Sequence, residues 1–157
     1  MDFYDENMLE WIVRGLKKNN PNEQKIRFEI TETSLAAIGE NHTRMLMHLK
    51  ENGAEILLDD FGNGYSSFGM LQDYDFDILK IDISFVRNIG VNKKSESILR
   101  AIIDMAHQLG IRLVAEGAET EEQVAFLRAN GCEYIQGYYY YKPMPENEFL
   151  QLLDEGK

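Results

Sequence analysis

Two adjacent carboxylates stand in the stretch DDFGNGYSS (residues 59–67), directly after a short apolar run. Asp59 and Asp60 repel each other, and Gly62 and Gly64 cost backbone entropy on folding. A plain turn needs neither the pair of acids nor the pair of glycines. Carboxylate oxygens are the ligands that Mg²⁺ and Mn²⁺ prefer, and two such ions can share ligands during in-line displacement at phosphorus. A surface turn after a strand is the alternative interpretation, and this stretch alone does not decide between the two.

Charged or amide residues also stand near the carboxyl ends of all five strands that we predict. In a parallel β/α sheet these ends lie on one face, where such folds place their active sites, and charges there are costly unless something binds them. For any one residue a structural role is the simpler interpretation, but the repetition indicates a site for a hard divalent cation. The residues are Glu29, Asp59, Asp60, Lys80, Glu116 and Gln136.

The elements that position these residues are short apolar runs alternating with amphipathic segments. Two of the runs, in residues 55–60 and 111–117, hold three consecutive apolar residues, which is typical of strands buried on both faces of a parallel sheet. Repeated β/α units predict right-handed crossovers and a parallel sheet, either open or closed into a barrel. The predicted strands are residues 25–31, 55–60, 77–82, 111–117 and 133–139.

Helical patterns fill the intervals between the strands. The strongest covers residues 96–109, where six apolar side chains fall on one face. Thr120 and Gln123 form a capping-box pattern before another helix, and Pro145 stands near the first turn of the last one. Residues 8–19 predict a further helix at the start.

Composition and charge limit the class of protein. The 157 residues are 44% hydrophobic and 27% charged, as expected of one folded domain. The net charge of −11 argues against nucleic-acid polymers as partners, because phosphate binding needs an excess of Lys and Arg. Cys132 is the single cysteine, so no intrachain disulfide can form. The sequence shows no membrane-spanning run and no signal-peptide pattern, and we expect a cytoplasmic domain.

Five ordered motifs make the sequence resemble the EAL family of bacterial cyclic di-GMP phosphodiesterases. They are FEITET, LDDFGNGYSSFGML, LKIDISFV, VAEGAETEEQVAFLRANGC and IQGYYYYKPMP. The resemblance extends over almost the whole chain. It implies a (β/α)8 barrel whose carboxyl-terminal rim holds two divalent cations, Mg²⁺ or Mn²⁺, and hydrolyses cyclic di-GMP to linear pGpG.

The resemblance also implies roles for single residues at the metal site. Glu29, Asp59, Asp60 and Glu116 would be metal ligands, with Asp60 bridging the two ions. Lys80 would be catalytic by neutralising charge around the attacking water and the phosphate. Glu116 would be catalytic as a ligand or general base that acts on this water.

Four further residues have roles implied by the same motifs. Glu32 would stabilise the loop that follows the second strand, whose glycines would let it move over the site. Gln136 would be a hydrogen-bonding partner at the rim. Asp82 and Glu119 lie inside matched motifs and would belong to the substrate side of the rim.

The chain departs from the family in length. A complete barrel of this class has about 250 residues, so residues 1–157 match the carboxyl-terminal part of one EAL domain, about five of eight strands. No Glu-Ala-Leu sequence occurs, so the namesake glutamate ligand and the asparagine ligand of the following strand have no counterpart. We therefore expect impaired turnover by this chain alone. The alternatives are an inactive cyclic di-GMP-binding or protein-interaction module, and a truncated product that acts as an assembly scaffold.

An open sheet of five strands also predicts partners. Its first and last strands have unpaired edges that can recruit another chain, and we expect a homodimer. A partner that supplies the missing half-barrel is the competing expectation, and a sensory domain can accompany either. We expect exposed apolar side chains on the strand faces to drive this association: Ile56, Leu57, Leu58, Ile78, Leu79, Ile81, Leu113, Val114 and Ile135.

Overall fold

A computed structural model of the chain describes residues 11, 13–15, 26–36, 41–62 and 67–156. Within them, five strands form one sheet in which neighbours in sequence are neighbours in space, and all four pairings are parallel. The predicted parallel sheet of β/α units is therefore confirmed. The strands are β1 (Arg27–Thr31), β2 (Glu55–Phe61), β3 (Ile78–Ile81), β4 (Arg112–Glu116) and β5 (Tyr134–Gln136).

Helices connect the strands or follow them. Residues 11 and 13–15 are helical as well, in agreement with the helix predicted at the start. Among the described residues, no helix is both long and apolar enough to cross a bilayer. The helices are α1 (Glu32–Ala36), α2 (Asn41–Glu51), α3 (Ser67–Asp73), α4 (Ile83–Arg87), α5 (Lys93–Leu109), α6 (Glu121–Ala129) and α7 (Glu146–Asp154).

Polar side chains determine where two of these helices begin. The Thr120 hydroxyl accepts a hydrogen bond from the Gln123 amide (3.3 Å), and Gln123 Oε1 accepts one from the Thr120 amide (3.1 Å), which confirms the capping box before α6. The side chain of Asn92 caps α5, which therefore begins three residues before the predicted start at Glu96. Apolar periodicity does not detect this first turn because its residues are polar.

The outer face of the sheet is apolar and covered by the helices. Side chains alternate along a strand, so every second residue points to this face. Helix residues such as Leu99, Ile103 and Leu127, each 0% exposed, pack in the same core. Burying one large apolar side chain stabilises the fold by about 1.5–3 kcal/mol. The strand residues of this face are Phe28, Ile30, Ile56, Leu58, Leu79, Ile81, Leu113, Ala115 and Ile135.

The inner face of the sheet has a charged layer at the amino end of the strands. The Glu55 carboxylate is buried there and accepts hydrogen bonds from Arg27 Nε (3.0 Å) and Arg112 Nη2 (2.8 Å). Leu57 and Ile78, which are paired in register and only 3% and 1% exposed, form an apolar layer above it. A second layer of charged groups lies at the carboxyl end of the strands, where the candidate site is.

The expectation of exposed apolar strand faces is wrong for most of the residues that it named. Ile56, Leu57, Leu58, Ile78, Leu79, Ile81 and Leu113 are buried, whereas Val114 and Ile135 are half-buried. Helices of the same β/α units cover one face, and side chains of neighbouring strands cover one another on the other face. The open edges of β1 and β5 are left as the feature that could favour association, because within the described part of the chain each pairs on one side alone.

Candidate metal and active site

Lys80 lies at the centre of the candidate site. It is the third residue of β3, and its side chain is only 11% exposed. Its Nζ atom lies 2.6 Å from Glu116 Oε1, 3.3 Å from Glu29 Oε2 and 3.4 Å from Asp59 Oδ1. These three carboxylates come from β4, β1 and β2, so four strands contribute to one ionic cluster.

The strand register explains why these residues meet. Glu29 pairs with Leu57, and Leu57 pairs with Ile78. Asp59 and Lys80 lie two residues beyond these partners and therefore point to the same inner face. The sequence prediction that polar strand ends share one side of the sheet is thus fulfilled by the positions of Glu29, Asp59, Lys80 and Glu116.

The cluster strongly favours the charged form of Lys80. Partial burial is the largest single influence, and it lowers the pKa of Lys80. The hydrogen bond to Glu116 and the negative charges of Asp59, Glu116 and Glu29 outweigh it, so the pKa lies well above its ordinary value. Three carboxylates around one ammonium leave an excess of negative charge, which favours the binding of further cations.

The two adjacent aspartates lie within an irregularity in the strand pairing. The pairing of β2 with β3 shifts register between Leu58 and Phe61. Asp60 has a φ of 58°, the only positive value at a non-glycine residue in the described part of the chain, and its amide donates to Asp59 Oδ1 at 2.9 Å. In a regular strand consecutive side chains point to opposite faces, whereas a bulge redirects them, and bulges are frequent beside active sites.

Asp60 lies in a negative environment. Desolvation is the largest influence and raises the pKa of Asp60, and the negative charges of Asp59 and Asp82 raise it further. The positive charge of Lys80 lowers it, and the Glu32 carboxylate raises it again, so the pKa stays above its ordinary value. An exposed carboxylate that other carboxylates repel is a group that a bound cation would stabilise.

Glu32 and Phe85 hold the loop where it leaves β2. Glu32 is 5% exposed, and its Oε1 atom accepts a hydrogen bond from the Gly62 amide at 3.2 Å. Gly62 has a φ of 99°, and a Cβ atom there would overlap the Phe85 ring. The role predicted for Glu32, to stabilise the loop, stays a prediction. Gly64 and the predicted movement of the loop fall on residues 63–66, which lie outside the described residues.

The other predicted rim residues occupy less central positions. Asp82 is buried and caps α4, because its Oδ1 atom accepts from the Ser84 amide at 2.8 Å. Gln136 is exposed and lies opposite Glu116 in the pairing of β4 with β5. Glu119 is exposed, and its amide donates to Gln123 Oε1 at the start of α6 (2.7 Å). Their roles toward a substrate stay predictions.

The residues present fit a divalent cation by donor type. Among the described residues, no three His, Cys, Asp or Glu side chains already form a metal-binding group. Lys80 instead provides the positive charge between three of the acids. Glu29, Asp59, Asp60 and Glu116 offer the carboxylate oxygens that hard divalent cations prefer.

Sequence reasoning missed the glycines that allow close packing around the site. Gly117 follows β4 directly and has a φ of 71°, and Gly137 follows β5. A Cβ atom on either residue would overlap a neighbour. A glycine immediately after a strand that ends in a polar residue is the signal that would have identified both.

Comparison with known proteins agrees with this geometry. The profile of the family described as EAL domain matches residues 1–143. The cyclic di-GMP phosphodiesterase NbdA of Pseudomonas aeruginosa is 42% identical over 120 residues, which are 76% of this chain and 15% of the relative. The chain spans between 15% and 25% of the length of the first three curated relatives that it matches.

Solved structures show the same fold. The EAL domain of Mycobacterium smegmatis DcpA has a TM-score of 0.89 and 35% identity, over 99% of this chain and 70% of that chain. A manganese and cyclic di-GMP complex of Klebsiella pneumoniae BlrP1 has a TM-score of 0.80 and 28% identity, over 87% of this chain and 35% of that one. The five strands are therefore part of a TIM-like (β/α)8 barrel.

Proposed function

The chain belongs to the EAL domain family, and from this premise we propose that it carries the carboxyl-terminal part of a cyclic di-GMP phosphodiesterase site. The observation that carries the proposal is the cluster in which the Lys80 ammonium contacts carboxylates from three other strands. This cluster lies at the carboxyl end of parallel strands, where β/α folds place catalysis. The site acts in bacterial second-messenger signalling, and we place it in the cytoplasm.

Glu29, Asp59, Asp60 and Glu116 would hold the metal, Mg²⁺ or Mn²⁺. When bound, such ions supply positive charge to the phosphoryl oxygens and lower the pKa of a coordinated water. Support comes from the donor type of the four side chains, from the raised pKa of Asp60 and from the manganese in the BlrP1 complex. The whole domain would use two ions.

The residues of this chain have separate tasks in the reaction. Glu116 accepts a proton from the water whose oxygen attacks phosphorus. Lys80 orients the Glu116 carboxylate through the 2.6 Å contact and supplies positive charge to the phosphate. The phosphorus–oxygen bond to one ribose breaks, that oxygen leaves and gains a proton, and cyclic di-GMP plus water gives linear pGpG. Gln136, opposite Glu116, donates hydrogen bonds at the rim.

We propose that these 157 residues alone turn over poorly. The Glu-Ala-Leu glutamate and the following asparagine ligand are absent from the sequence, and a missing ligand leaves the nucleophile misplaced. The same observation favours a second candidate function, an inactive module that binds cyclic di-GMP or a protein. Binding without turnover distinguishes that module from the enzyme.

A turnover assay with Mg²⁺ and with Mn²⁺ tests the proposal. We expect hydrolysis of cyclic di-GMP to be absent or at least about 100-fold slower than in an EAL domain with all its ligands. A version extended upstream by the strands that carry the two missing ligands should gain activity, and Glu116→Gln in that version should remove it. Turnover by the 157-residue chain equal to that of a complete domain would contradict the proposed impairment. An extended version without turnover would favour the binding module.

A further inference from the structure

We propose that Gly137 is a positioning residue for Glu116 and acts through the backbone of Gly117 and Ala118. The inference rests on the proposed function, because it concerns the same site. Glu116 is the last residue of β4, and its carboxylate makes the shortest of the three contacts with Lys80. The two residues that follow Glu116 determine how the chain leaves the strand and therefore where this carboxylate lies.

Gly137 lies directly against the peptide group of Ala118. A Cβ atom at position 137 would come closer than 3.0 Å to the nitrogen, the carbonyl carbon and the carbonyl oxygen of Ala118. All three are backbone atoms, so no side-chain rotation can relieve the overlap. The φ of Gly137 is not in the left-handed region. Glycine is required at this position by the close approach and not by the backbone conformation.

Two hydrogen bonds fix this approach. The Ala118 amide donates to the Gln136 carbonyl at 3.2 Å, and the Tyr139 amide donates to the Ala118 carbonyl at 3.0 Å. They extend the pairing of β4 with β5 beyond the last strand pair, Glu116 with Gln136. Ala118 is fully buried at this junction. The end of β5 therefore holds the segment after Glu116 from one side.

Ile83 holds the same segment from the other side. Gly117 has a φ of 71°, and a Cβ atom there would overlap the Ile83 side chain. Ile83 is the first residue of α4, whose start is fixed by the Asp82 cap. We call Ile83 and Gly137, on either side of residues 117–118, the clamp. The two sides belong to different elements, and we expect a change at either one to displace the end of β4.

The position of Glu116 matters because its contact with Lys80 is short and its chemistry depends on distance. The Lys80 Nζ atom lies 2.6 Å from Glu116, against 3.3 and 3.4 Å from Glu29 and Asp59. A misplacement of about 1 Å in a catalytic group can reduce a rate about 100-fold. Groups that orient metal ligands typically change metal affinity about 10–100-fold when they are altered.

Gly137→Ala tests the clamp, with Gly69→Ala as the matched control. Gly69 lies in α3, and a Cβ atom added there would meet no neighbouring group within 4 Å, so the control adds the same atom where space is free. Three measurements are compared in the full chain: cooperative melting, Mn²⁺ affinity by electron paramagnetic resonance, and the NMR resonance of the Lys80 ammonium. We expect Gly137→Ala to weaken Mn²⁺ binding about 10-fold or more and to shift the ammonium resonance. The control should change neither.

Each outcome decides for or against the clamp. If Gly137→Ala lowers the melting temperature but leaves the Lys80 resonance and the Mn²⁺ affinity unchanged, the role of Gly137 is merely structural and the proposal is overturned. If that variant does not fold, Ile83→Ala loosens the other side, and it must shift the resonance for the proposal to stand. If the unmodified chain binds no Mn²⁺, the proposed function loses support, whereas the Lys80 resonance still tests the clamp.

Discussion

At the residue scale, the site is defined by an imbalance of charge. The Lys80 ammonium contacts three carboxylates within 3.4 Å, and Asp60 adds a fourth nearby. The Lys80 ammonium offsets one of these negative charges, and additional cations, or protons at lower pH, can neutralise others. The cluster therefore has the negative charge that a divalent cation would neutralise under the proposed function.

Asp60→Asn changes this charge with little change in shape. Asn tolerates the left-handed conformation that Asp60 adopts, so the substitution isolates the electrostatic effect. We expect the metal-free chain to become more stable by less than about 1 kcal/mol, because Asp60 is exposed to solvent, and the stabilisation by Mg²⁺ to disappear. Thermal melting with and without Mg²⁺ measures both effects. The control is Asp104→Asn, the same change of side chain at an exposed position on α5.

The pH dependence of the Asp60 effect has a definite sign. The raised pKa means that the folded chain binds this proton more readily than the unfolded chain. The destabilisation by Asp60 is therefore fully present at neutral pH and fades as the pH falls through the pKa of the folded state. The difference between Asp60→Asn and the unmodified chain should shrink from pH 7 to pH 4. A difference that grows on acidification, or a variant that retains its response to Mg²⁺, would refute the assignment.

Most residues of the candidate site could be identified from the sequence, because polar side chains at strand ends interrupt an apolar pattern. Glu29, Asp59, Lys80 and Glu116 were identified in this way, and the structure places them together. The positive φ of Asp60 could not be predicted, since it depends on a register shift between two strands. The overlap at Gly137 also depends on an approach in space that no local pattern records.

At the scale of elements, sequence patterns located the strands but not all of their ends. β5 was expected to reach residue 139 and ends at Gln136, because the amides of Tyr140 and Tyr141 turn back to the Gly137 carbonyl. An aromatic run of this kind has a high strand propensity, and here the turn overrides it. The capping box of α6, by contrast, depends on residues three apart in sequence and was predicted correctly.

The α6 capping box offers a prediction at this scale. Thr120→Ala removes the hydroxyl that accepts from the Gln123 amide, so we expect the free energy of unfolding to fall by about 1 kcal/mol. This corresponds to a decrease of about 2–4 °C in Tm for a chain of this size. Thr120→Ser keeps the hydroxyl and should preserve most of the stability. Urea titration of the three proteins gives the comparison, and equal midpoints for the Ala and Ser variants would contradict the role of the cap.

At the scale of the whole molecule, the surfaces available for association differ from those that the sequence suggested. The apolar strand faces are largely covered, so they contribute little. Among the described residues, two edges of the sheet and the apolar face of α7 are candidates for association. Within the described residues β1 and β5 each pair on one side alone, and α7 buries none of its residues. Phe149, Leu150 and Leu153 on α7 are 49%, 52% and 57% exposed.

We predict that the chain forms a homodimer through a sheet edge and the apolar residues of α7. An unpaired edge presents free N–H and C=O groups, and three adjacent apolar side chains add about 1.5–3 kcal/mol each when they are fully buried. The net charge of −11 opposes association of like chains, so raising the salt concentration should strengthen the dimer. Light scattering at micromolar concentration should give about twice the chain mass of 18.2 kDa.

Leu153→Glu should return the mass to that of one chain, while Asn147→Glu, an exposed change of the same charge on the same helix, should not. A compact 18.2 kDa species that melts cooperatively at both low and high salt would rule out the dimer and favour a partner that supplies further strands.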